Sequence, residues 1–379
     1  MKKVTFSVIK ADVGSIGGHT KPSEEMMARV NAMLVDAKHQ GLLIDAMATY
    51  TGDDIALLMS HEKGKNAPAI HDFAWGVFLA ATKIASDNGL YGAGQDLLVD
   101  APAGNVNGAG PAVAEIEFIR DDESKDRPAE AFLVFTADKC GPGAYNFPFY
   151  STLCDPMRNG GLLLNPKLRK GFAVEVIDME SKDGDRTINL DIPERIWDLA
   201  VLMQNTDRFA IREVYSKALP YEQMISASAT RLHNIAGSYV GKDDPVAIFR
   251  VQGAFPAPEE VVEPFMLGHF LTGGARGSHV MPIMPVAINT PVAGPYCLPL
   301  VACMAFSMDK DGNFTKEAVD IFGDGVWDHT RLKIQAKAEE WRRQGFIGPT
   351  MASEAELAYT GMVEAHEKLS QEFKIENQQ

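Results

Sequence analysis

The chain has 379 residues, of which 46% are hydrophobic, enough to fill a large buried core. Its 36 lysine and arginine residues are outnumbered by 51 aspartate and glutamate residues, and the formal charge of -15 argues against a nucleic-acid partner, because phosphate backbones attract clustered basic residues. The most apolar run, residues 297–306, contains Pro299 and is far shorter than the roughly 20 residues that span a bilayer, so no membrane segment is expected.

Strand-like and helical stretches alternate along the sequence. Apolar runs predict strands at residues 4–9, 42–48, 55–60, 114–119, 131–136, 172–177, 246–251 and 300–306. Helical patterns predict helices at residues 23–39, 68–87, 193–203, 259–271, 328–344 and 353–373, and Ser23 followed by two glutamates is typical of a helix amino end. The mixture predicts an α/β (or α+β) protein with a single domain over residues 1–373 and a frayed tail over residues 374–379.

Glycine-rich stretches are the unusual feature of the sequence. They read GSIGGHT (14–20), GLYGAGQD (89–96), GNVNGAGP (104–111), CGPGAYN (140–146) and GGARGSH (273–279). Turn chemistry alone accounts for some of them. None fits the Walker phosphate loop or a dinucleotide-binding strand–glycine–helix unit, so a Walker ATPase and a Rossmann dehydrogenase are disfavoured. Backbone amides freed to approach anionic oxygens favour a phosphorylated ligand.

Six aspartates fall at the ends of apolar strand-like segments. They are Asp12, Asp53, Asp54, Asp138, Asp243 and Asp244. Strand ends are where α/β sheets bind ligands, so we expect these side chains to converge although they are distant in sequence. A single acid at a strand end is usually a cap or a turn, but two separate Asp–Asp doublets favour a site for several metal ions. Carboxylate oxygens suit Mg²⁺, which is a hard ion.

Lysine and tyrosine side chains stand beside these acids. Each of Lys139 and Lys242 is either an ion-pair partner of the acids or a functional residue. A functional lysine here would either bind a phosphate group or act as an amine nucleophile that forms a Schiff base. Carboxylates favour the ammonium form, and divalent ions on the same carboxylates would reverse that field, so metal loading is expected to make Lys242 usable as an amine. Tyr239 is either a proton-transferring phenol or a packing residue. His19 and Gln95 are either extra ligands or simply hydrogen-bonded.

Seven motifs, in order along nearly the whole chain, resemble one known family. They are SVIKADVGSIGGH (7–19), GDD (52–54), GLYGAGQDLL (89–98), DK before PGAYN (138–146), YVGKDDPV (239–246), RGSH (276–279) and YTG (359–361). Together they look like fructose-1,6-bisphosphate aldolase/phosphatase, a bifunctional gluconeogenic enzyme family.

The resemblance implies one site that condenses dihydroxyacetone phosphate with glyceraldehyde 3-phosphate and then removes the C1 phosphate of fructose 1,6-bisphosphate to give fructose 6-phosphate. It implies that Lys242 forms the Schiff base, that Tyr239 transfers protons in the aldolase step and that Asp12 accepts a proton in the phosphatase step. The implied metal ligands are Asp12, His19, Asp53, Asp54, Gln95, Asp138, Lys242, Asp243 and Asp244. The implied sugar-phosphate contacts are His19, Tyr91, Gly104, Asn105, Lys139, Gln252, Gly253, Arg276 and Tyr359.

The resemblance further implies a four-layer α-β-β-α sandwich, three to four Mg²⁺ ions per subunit and a homo-octamer that acts on small sugar phosphates. A cytoplasmic protein without a signal peptide is expected, because Lys2 and Lys3 precede only a short strand-like run. One departure matters: Cys297 stands where the family usually has an aspartate that contacts the triose phosphate. Two alternatives therefore stay open, a Mg²⁺-dependent phosphatase with impaired aldolase activity and a non-catalytic sugar-phosphate sensor.

Overall fold

Strands make up two large sheets in this protein, and short elements fill the connections. The computed structural model describes residues 2–97, 110–120, 129–181, 185–206, 208–219, 222–228, 230–231, 243–267, 271–273, 280–294, 298–343 and 361–375. Within them the strands are β1 Lys2–Asp12, β2 Asp45–Thr51, β3 Asp54–His61, β4 Ala112–Arg120, β5 Glu130–Asp138, β6 Phe172–Asp178, β7 Arg186–Ile192, β8 Phe209–Ser216, β9 Gln223–Ala227, β10 Thr230–Arg231, β11 Val246–Val251, β12 Leu271–Gly273, β13 Val280–Pro282, β14 Met284–Val286, β15 Leu300–Met308, β16 Val319–Asp320 and β17 Lys374–Ile375. The helices are α1 Glu24–His39, α2 Pro68–Asp87, α3 Asn146–Cys154, α4 Gly161–Leu164, α5 Ile196–Met203, α6 Pro258–Val262, α7 Asp328–Arg343 and α8 Met362–Ser370.

The first sheet has the order β10-β4-β1-β3-β2, and each pair of neighbours is antiparallel. The second sheet has the order β14-β15-β5-β11-β9-β8-β6-β7-β17, with β16 beside β15. It is antiparallel except for the pairing of β14 with β15. Strands β12 and β13 form a separate hairpin-like pair. The mixed α/β class predicted from the sequence is confirmed.

The three largest apolar cores of the described residues follow one another through the molecule. One joins α1 and α2 to the outer face of the first sheet, with Val30 and Phe78 facing Leu57. The next joins the two sheets and contains Phe6 of β1 and Phe132 of β5, whose ring centroids lie 5.1 Å apart. The last joins the second sheet to α3, α5 and the segment around α8. This succession supports the four-layer sandwich, which stays a prediction.

Several predicted elements match their observed bounds closely. Helix α2 and strand β11 have the predicted limits, and Ser23 is the N-cap of α1, where its side chain accepts a hydrogen bond from Met26 N. The predicted helix at residues 259–271 is wrong beyond Val262. There the chain enters a 3₁₀ turn, Glu263–Leu267, that contains Pro264, which has no N–H to continue an α-helical ladder.

The carboxyl end of the chain also differs from its prediction. Residues 374–379 were expected to fray, but Lys374 and Ile375 pair with β7. Phe373 explains the difference because it is buried and lies under the guanidinium group of Arg186, 5.3 Å from the ring centroid. Of the helix predicted at residues 353–373, α8 is observed, and residues 353–360 lie outside the described part of the chain.

A buried polar network ties α2 to the first sheet. Ser7 Oγ donates to Glu115 Oε1 at 2.6 Å and lies 2.8 Å from His61 Nε2, and His71 Nε2 lies 3.4 Å from the same carboxylate oxygen. Burial lowers the pKa of His61 to about 4. Lys63 N donates to His61 Nδ1, so a neutral ring with the proton on Nε2 satisfies both nitrogens.

Candidate active site

The predicted acids converge at one end of the layer between the two sheets. Side chains alternate along a strand, and the apolar residues that face this layer occupy even positions, as Phe6 does in β1 and Phe132 does in β5. Asp12 and Asp138 continue these two rows at the last residue of each strand. The inter-sheet layer is therefore apolar in its interior and carries carboxylates at its rim.

Strand pairing then brings the acids together across each sheet. Asp12 pairs directly with Asp54, the first residue of β3. Val246 pairs with Thr136, so Asp244, two residues before Val246, lies beside the end of β5. The sheets themselves meet here through a 2.7 Å hydrogen bond between the hydroxyl groups of Thr51 and Thr136.

The first group of possible ligands comprises Asp12, His19 and Asp53, each with one ligand atom within 4.8 Å of the others. His19 Nδ1 lies 2.7 Å from Asp53 Oδ2 and 3.8 Å from Asp12 Oδ2. The rings of His19 and Tyr91 pack in a T-shaped arrangement, with centroids 4.8 Å apart. Backbone bonds between Ser15 and Tyr91, of 2.9 and 3.1 Å, hold the two glycine-rich loops together, so the loops position this histidine.

The second group comprises Asp54, Asp138 and Asp244, again with ligand atoms within 4.8 Å of one another. Cys140 N donates to Asp244 Oδ1 at 2.8 Å, which fixes the orientation of that carboxylate. Lys139 joins the two groups, because its Nζ donates to Asp53 Oδ1 at 2.6 Å and to Asp138 Oδ1 at 2.8 Å. The two triads therefore form one continuous acidic site.

Burial and mutual repulsion dominate the electrostatics of this site. Burial, followed by the charges of neighbouring carboxylates, raises the pKa of Asp12 well above its usual range. Burial likewise raises the pKa of Asp54 and Asp138, although Lys10 and Lys139, respectively, oppose the shift. The site thus concentrates more negative charge than its own lysines compensate.

Asp53 behaves differently from its neighbours. Burial works to raise the pKa of Asp53, but hydrogen bonds with His19 and Lys139 outweigh it and hold the pKa well below its usual range. Lys139 shows the reciprocal effect: burial favours the neutral amine, but the charges of Asp138 and Asp53 keep its pKa well above the usual range. Of Asp12, Asp53, Asp54 and Asp138, Asp53 is therefore the carboxylate that stays ionised most readily.

The donor set fits a hard divalent cation. Five carboxylates and one imidazole converge, and the buried Asp138 Oδ2 has no hydrogen-bond partner among the described residues. A buried carboxylate oxygen without a partner is costly unless an ion binds it. Gly52 provides the room for the Asp138 carboxylate, since a Cβ atom at position 52 would overlap it. The residues that would hold such an ion are those of the two triads.

Comparison with known proteins agrees with this site. The sequence model described as fructose-1,6-bisphosphatase matches residues 3–374 of the chain. The chain belongs to this fructose-1,6-bisphosphatase family. A curated relative from Thermus thermophilus, named fructose-1,6-bisphosphate aldolase/phosphatase, is 48% identical over 371 residues, covering 98% of this chain and 99% of its own length.

Two archaeal relatives of the same name extend the comparison. The protein from Cenarchaeum symbiosum is 42% identical, over 94% of this chain and 91% of its own length. The protein from Metallosphaera sedula is 40% identical, over 98% of this chain and 94% of its own length. Membership of the fructose-1,6-bisphosphatase family therefore rests on matches that span nearly the whole sequence.

Not every predicted site residue of this family member lies at the acidic rim. Gln252 and Gly253 follow the far end of β11, and six strand residues at about 3.3 Å each place them roughly 20 Å from Asp244. Arg250, fully buried, anchors that far end through Glu130 and Glu222, at 3.0 and 2.8 Å. Within one chain, Gln252 and Gly253 are not brought together with the acids.

Other predicted residues are placed in part. Asp243 is described beside Asp244, and Gln95 opens the short 3₁₀ turn Gln95–Leu97 with a buried Oε1 that has no hydrogen-bond partner among the described residues. The remaining predicted residues lie outside the described part of the chain: Gly104, Asn105, Tyr239, Lys242, Arg276 and Tyr359. Cys297, which differs from the family pattern, also lies outside it.

Three supporting residues were not predicted from the sequence. Asp96 Oδ2 accepts a hydrogen bond of 2.9 Å from Asp12 N and so fixes the end of β1. Lys10, buried in β1, pairs with Asp54. Gly52 leaves room for Asp138. The one available signal was Lys10, since a lysine inside the otherwise uncharged run TFSVIKA (5–11) is unusual for a buried strand.

Proposed function

We propose that this chain is a bifunctional fructose-1,6-bisphosphate aldolase/phosphatase that acts in gluconeogenesis. It would condense dihydroxyacetone phosphate with glyceraldehyde 3-phosphate and then hydrolyse the C1 phosphate of the product to give fructose 6-phosphate. The observation that carries the proposal is the pair of acidic triads at the rim of the inter-sheet layer. Relatives that carry this name support it over nearly their whole length.

The phosphatase step needs an acceptor for the proton of the attacking water. Asp12 is suited to this task because its position is fixed from both sides: Asp96 accepts from its backbone N–H, and Gly14 N donates to its Oδ1 at 3.2 Å. Bound Mg²⁺ would supply Lewis-acid stabilisation of the phosphoryl oxygens. Lys139, held between Asp53 and Asp138, would contribute a positive charge for a phosphate group.

The aldolase step is assigned to Lys242 and Tyr239. The Lys242 amine would attack the C2 carbonyl of dihydroxyacetone phosphate and release water, giving an imine. Tyr239 would remove the C3 proton, and the resulting enamine would add to the aldehyde of glyceraldehyde 3-phosphate, after which water releases the bisphosphate. In the sequence Asp243 and Asp244 follow Lys242 directly, and Asp244 belongs to the second triad.

The remaining assignments are proposals on the same basis. Residues 1–373 would form one catalytic domain that binds three to four Mg²⁺ ions, in a cytoplasmic homo-octamer. Gln252 lies far from the acids of its own chain, so its proposed contact with the sugar phosphate would have to be made to the site of a second copy, as an oligomer would allow. No helix in the described part of the chain is long and apolar enough to cross a bilayer.

Borohydride trapping tests the two activities separately. The protein is reduced in the presence of dihydroxyacetone phosphate, peptides are mapped by mass, and phosphate release from fructose 1,6-bisphosphate is measured with and without Mg²⁺. An adduct on Lys242 together with Mg²⁺-dependent release is the expected result. Release without an adduct supports the narrower phosphatase, which the substitution at Cys297 favours, and the absence of both signals refutes the proposed function.

A further inference from the structure

Lys10 is a buried cation directly behind the acidic site. It lies on the inter-sheet face of β1, between Val8 and Asp12, and its side chain is 1% exposed. Its Nζ contacts Asp54 Oδ2, and the Asp54 side chain is 3% exposed. The ammonium group therefore separates the apolar layer from the carboxylates.

A lysine in this place requires an explanation. An ammonium group is strongly hydrated in water, so burying it beside Phe and Val side chains is unfavourable unless a counter-charge compensates. A purely apolar residue would extend the row formed by Phe6 and Val8. The chain instead places a fixed positive charge on one oxygen of Asp54, an acid of the second triad.

Charge balance indicates what the lysine does. The two triads carry five aspartates, namely Asp12, Asp53, Asp54, Asp138 and Asp244, with Asp96 beside them, against the ammonium groups of Lys10 and Lys139. Lys139 is 15% exposed and bridges the two triads, whereas Lys10 contacts Asp54 from inside the core. A cation inside the core cannot be displaced by solvent and opposes any further positive charge at the rim.

We propose that Lys10 is a positioning residue that acts as a permanent counter-cation of the second triad. It holds the Asp54 carboxylate in place before a divalent ion binds, and by like-charge repulsion it keeps the ion exchangeable. This inference rests on the proposed function, because it concerns the ion site of that enzyme. Its consequence is that Lys10 stabilises the metal-free protein while weakening metal affinity.

The test compares Lys10→Met with Lys10→Arg and with a matched control, Lys65→Met. Lys65 Nζ lies 2.7 Å from Glu213 Oε1, and this ion pair is remote from the acidic rim. Lys65→Met therefore removes a lysine ion pair without changing the site. Magnesium affinity of the metal-stripped full chain is measured by calorimetric titration, and the melting temperature is measured with and without Mg²⁺. Thermal melting provides a readout that does not depend on activity.

Lys10→Met is expected to bind Mg²⁺ about tenfold more tightly than wild type, because removing a neighbouring like charge shifts ionic equilibria by about one logarithmic unit or more. Without metal, the melting temperature of Lys10→Met should be lower than that of the wild type. The increase in melting temperature on adding Mg²⁺ should be larger for Lys10→Met than for the wild type. Lys10→Arg should retain wild-type affinity, and Lys65→Met should change neither affinity nor the Mg²⁺-induced increase.

Two results would overturn the inference: equal destabilisation of Lys10→Met with and without Mg²⁺ at unchanged affinity, or weaker Mg²⁺ binding. If Lys10→Met does not fold, Lys10→Gln, which keeps a donor for Asp54 without the charge, carries the same expectations. Failure of the wild type itself to bind Mg²⁺ would instead refute the proposed ion site, so the two failures are distinguishable.

Discussion

Substituting Gly52 by alanine should separate the need for space at the acidic rim from the need for a flexible backbone. Gly52 has φ +58, and a Cβ atom there would lie 2.5 Å from Asp138 Cγ and 2.9 Å from Val292 Cγ2. The left-handed conformation alone costs a non-glycine residue about 1 kcal/mol. The collision adds to that cost, because the Asp138 carboxylate must move away from its place in the second triad.

Gly41→Ala is the matched control, because Gly41 has φ +72 with no atom within 4 Å of a Cβ. We expect Gly41→Ala to lose about 1 kcal/mol of unfolding free energy and Gly52→Ala about 2–4 kcal/mol, by denaturant titration. Because misplacing a site group by about 1 Å can cost roughly 100-fold in rate, Mg²⁺-dependent phosphate release should fall by that factor in Gly52→Ala only. Equal stability losses, or release within about twofold of wild type, would refute the reasoning.

Three further predictions concern the buried charges. Asp138→Asn should abolish Mg²⁺-dependent phosphate release yet stabilise the metal-free protein by about 1–2 kcal/mol, since it removes a buried charge among carboxylates; a lower melting temperature would contradict this. Between pH 6.5 and 4, His61 is protonated in the unfolded chain but not in the folded chain, so its contribution to the free energy of unfolding should fall by about 3 kcal/mol as the pH falls. In a His61→Gln variant, the free energy of unfolding measured by denaturation should depend less steeply on pH over this range. Arg250→Met should lower the free energy of unfolding by about 3–5 kcal/mol, because it removes the guanidinium group that pairs with the buried Glu130 carboxylate. Adding Glu130→Gln should restore part of that free energy, and no recovery would argue against the pairing.

Apolar periodicity was sufficient for several helices and strands. Helix α2 and strand β11 have the predicted bounds, and the side chain of Ser23 caps α1 as expected. Strands β7, β8 and β9 were not predicted, because their apolar residues are interrupted by charged or polar ones, as in RTINLDI of β7. Their pairing in the second sheet, rather than local preference, makes them strands.

The acidic site was predictable in its members but not in its geometry. Convergence of Asp12, Asp54 and Asp138 was expected from their positions at strand ends, and the structure brings them together. Their role as metal ligands stays a prediction. The part played by Lys10 could not be predicted, because it depends on the register that sets Lys10 opposite Ala56 and diagonal to Asp54. Pairing registers are long-range properties that a local pattern does not contain.

The shared alternation of core and rim limits how the sequence can change. Phe6 and Asp12 lie an even number of residues apart, as do Phe132 and Asp138, so each aromatic side chain and its acid face the same layer. Deleting or inserting one residue between them would turn the acid towards the helices, whereas a change of two residues would preserve its direction. In this fold, odd-length insertions within β1 or β5 are therefore incompatible with an assembled site, whatever the identity of the residues inserted.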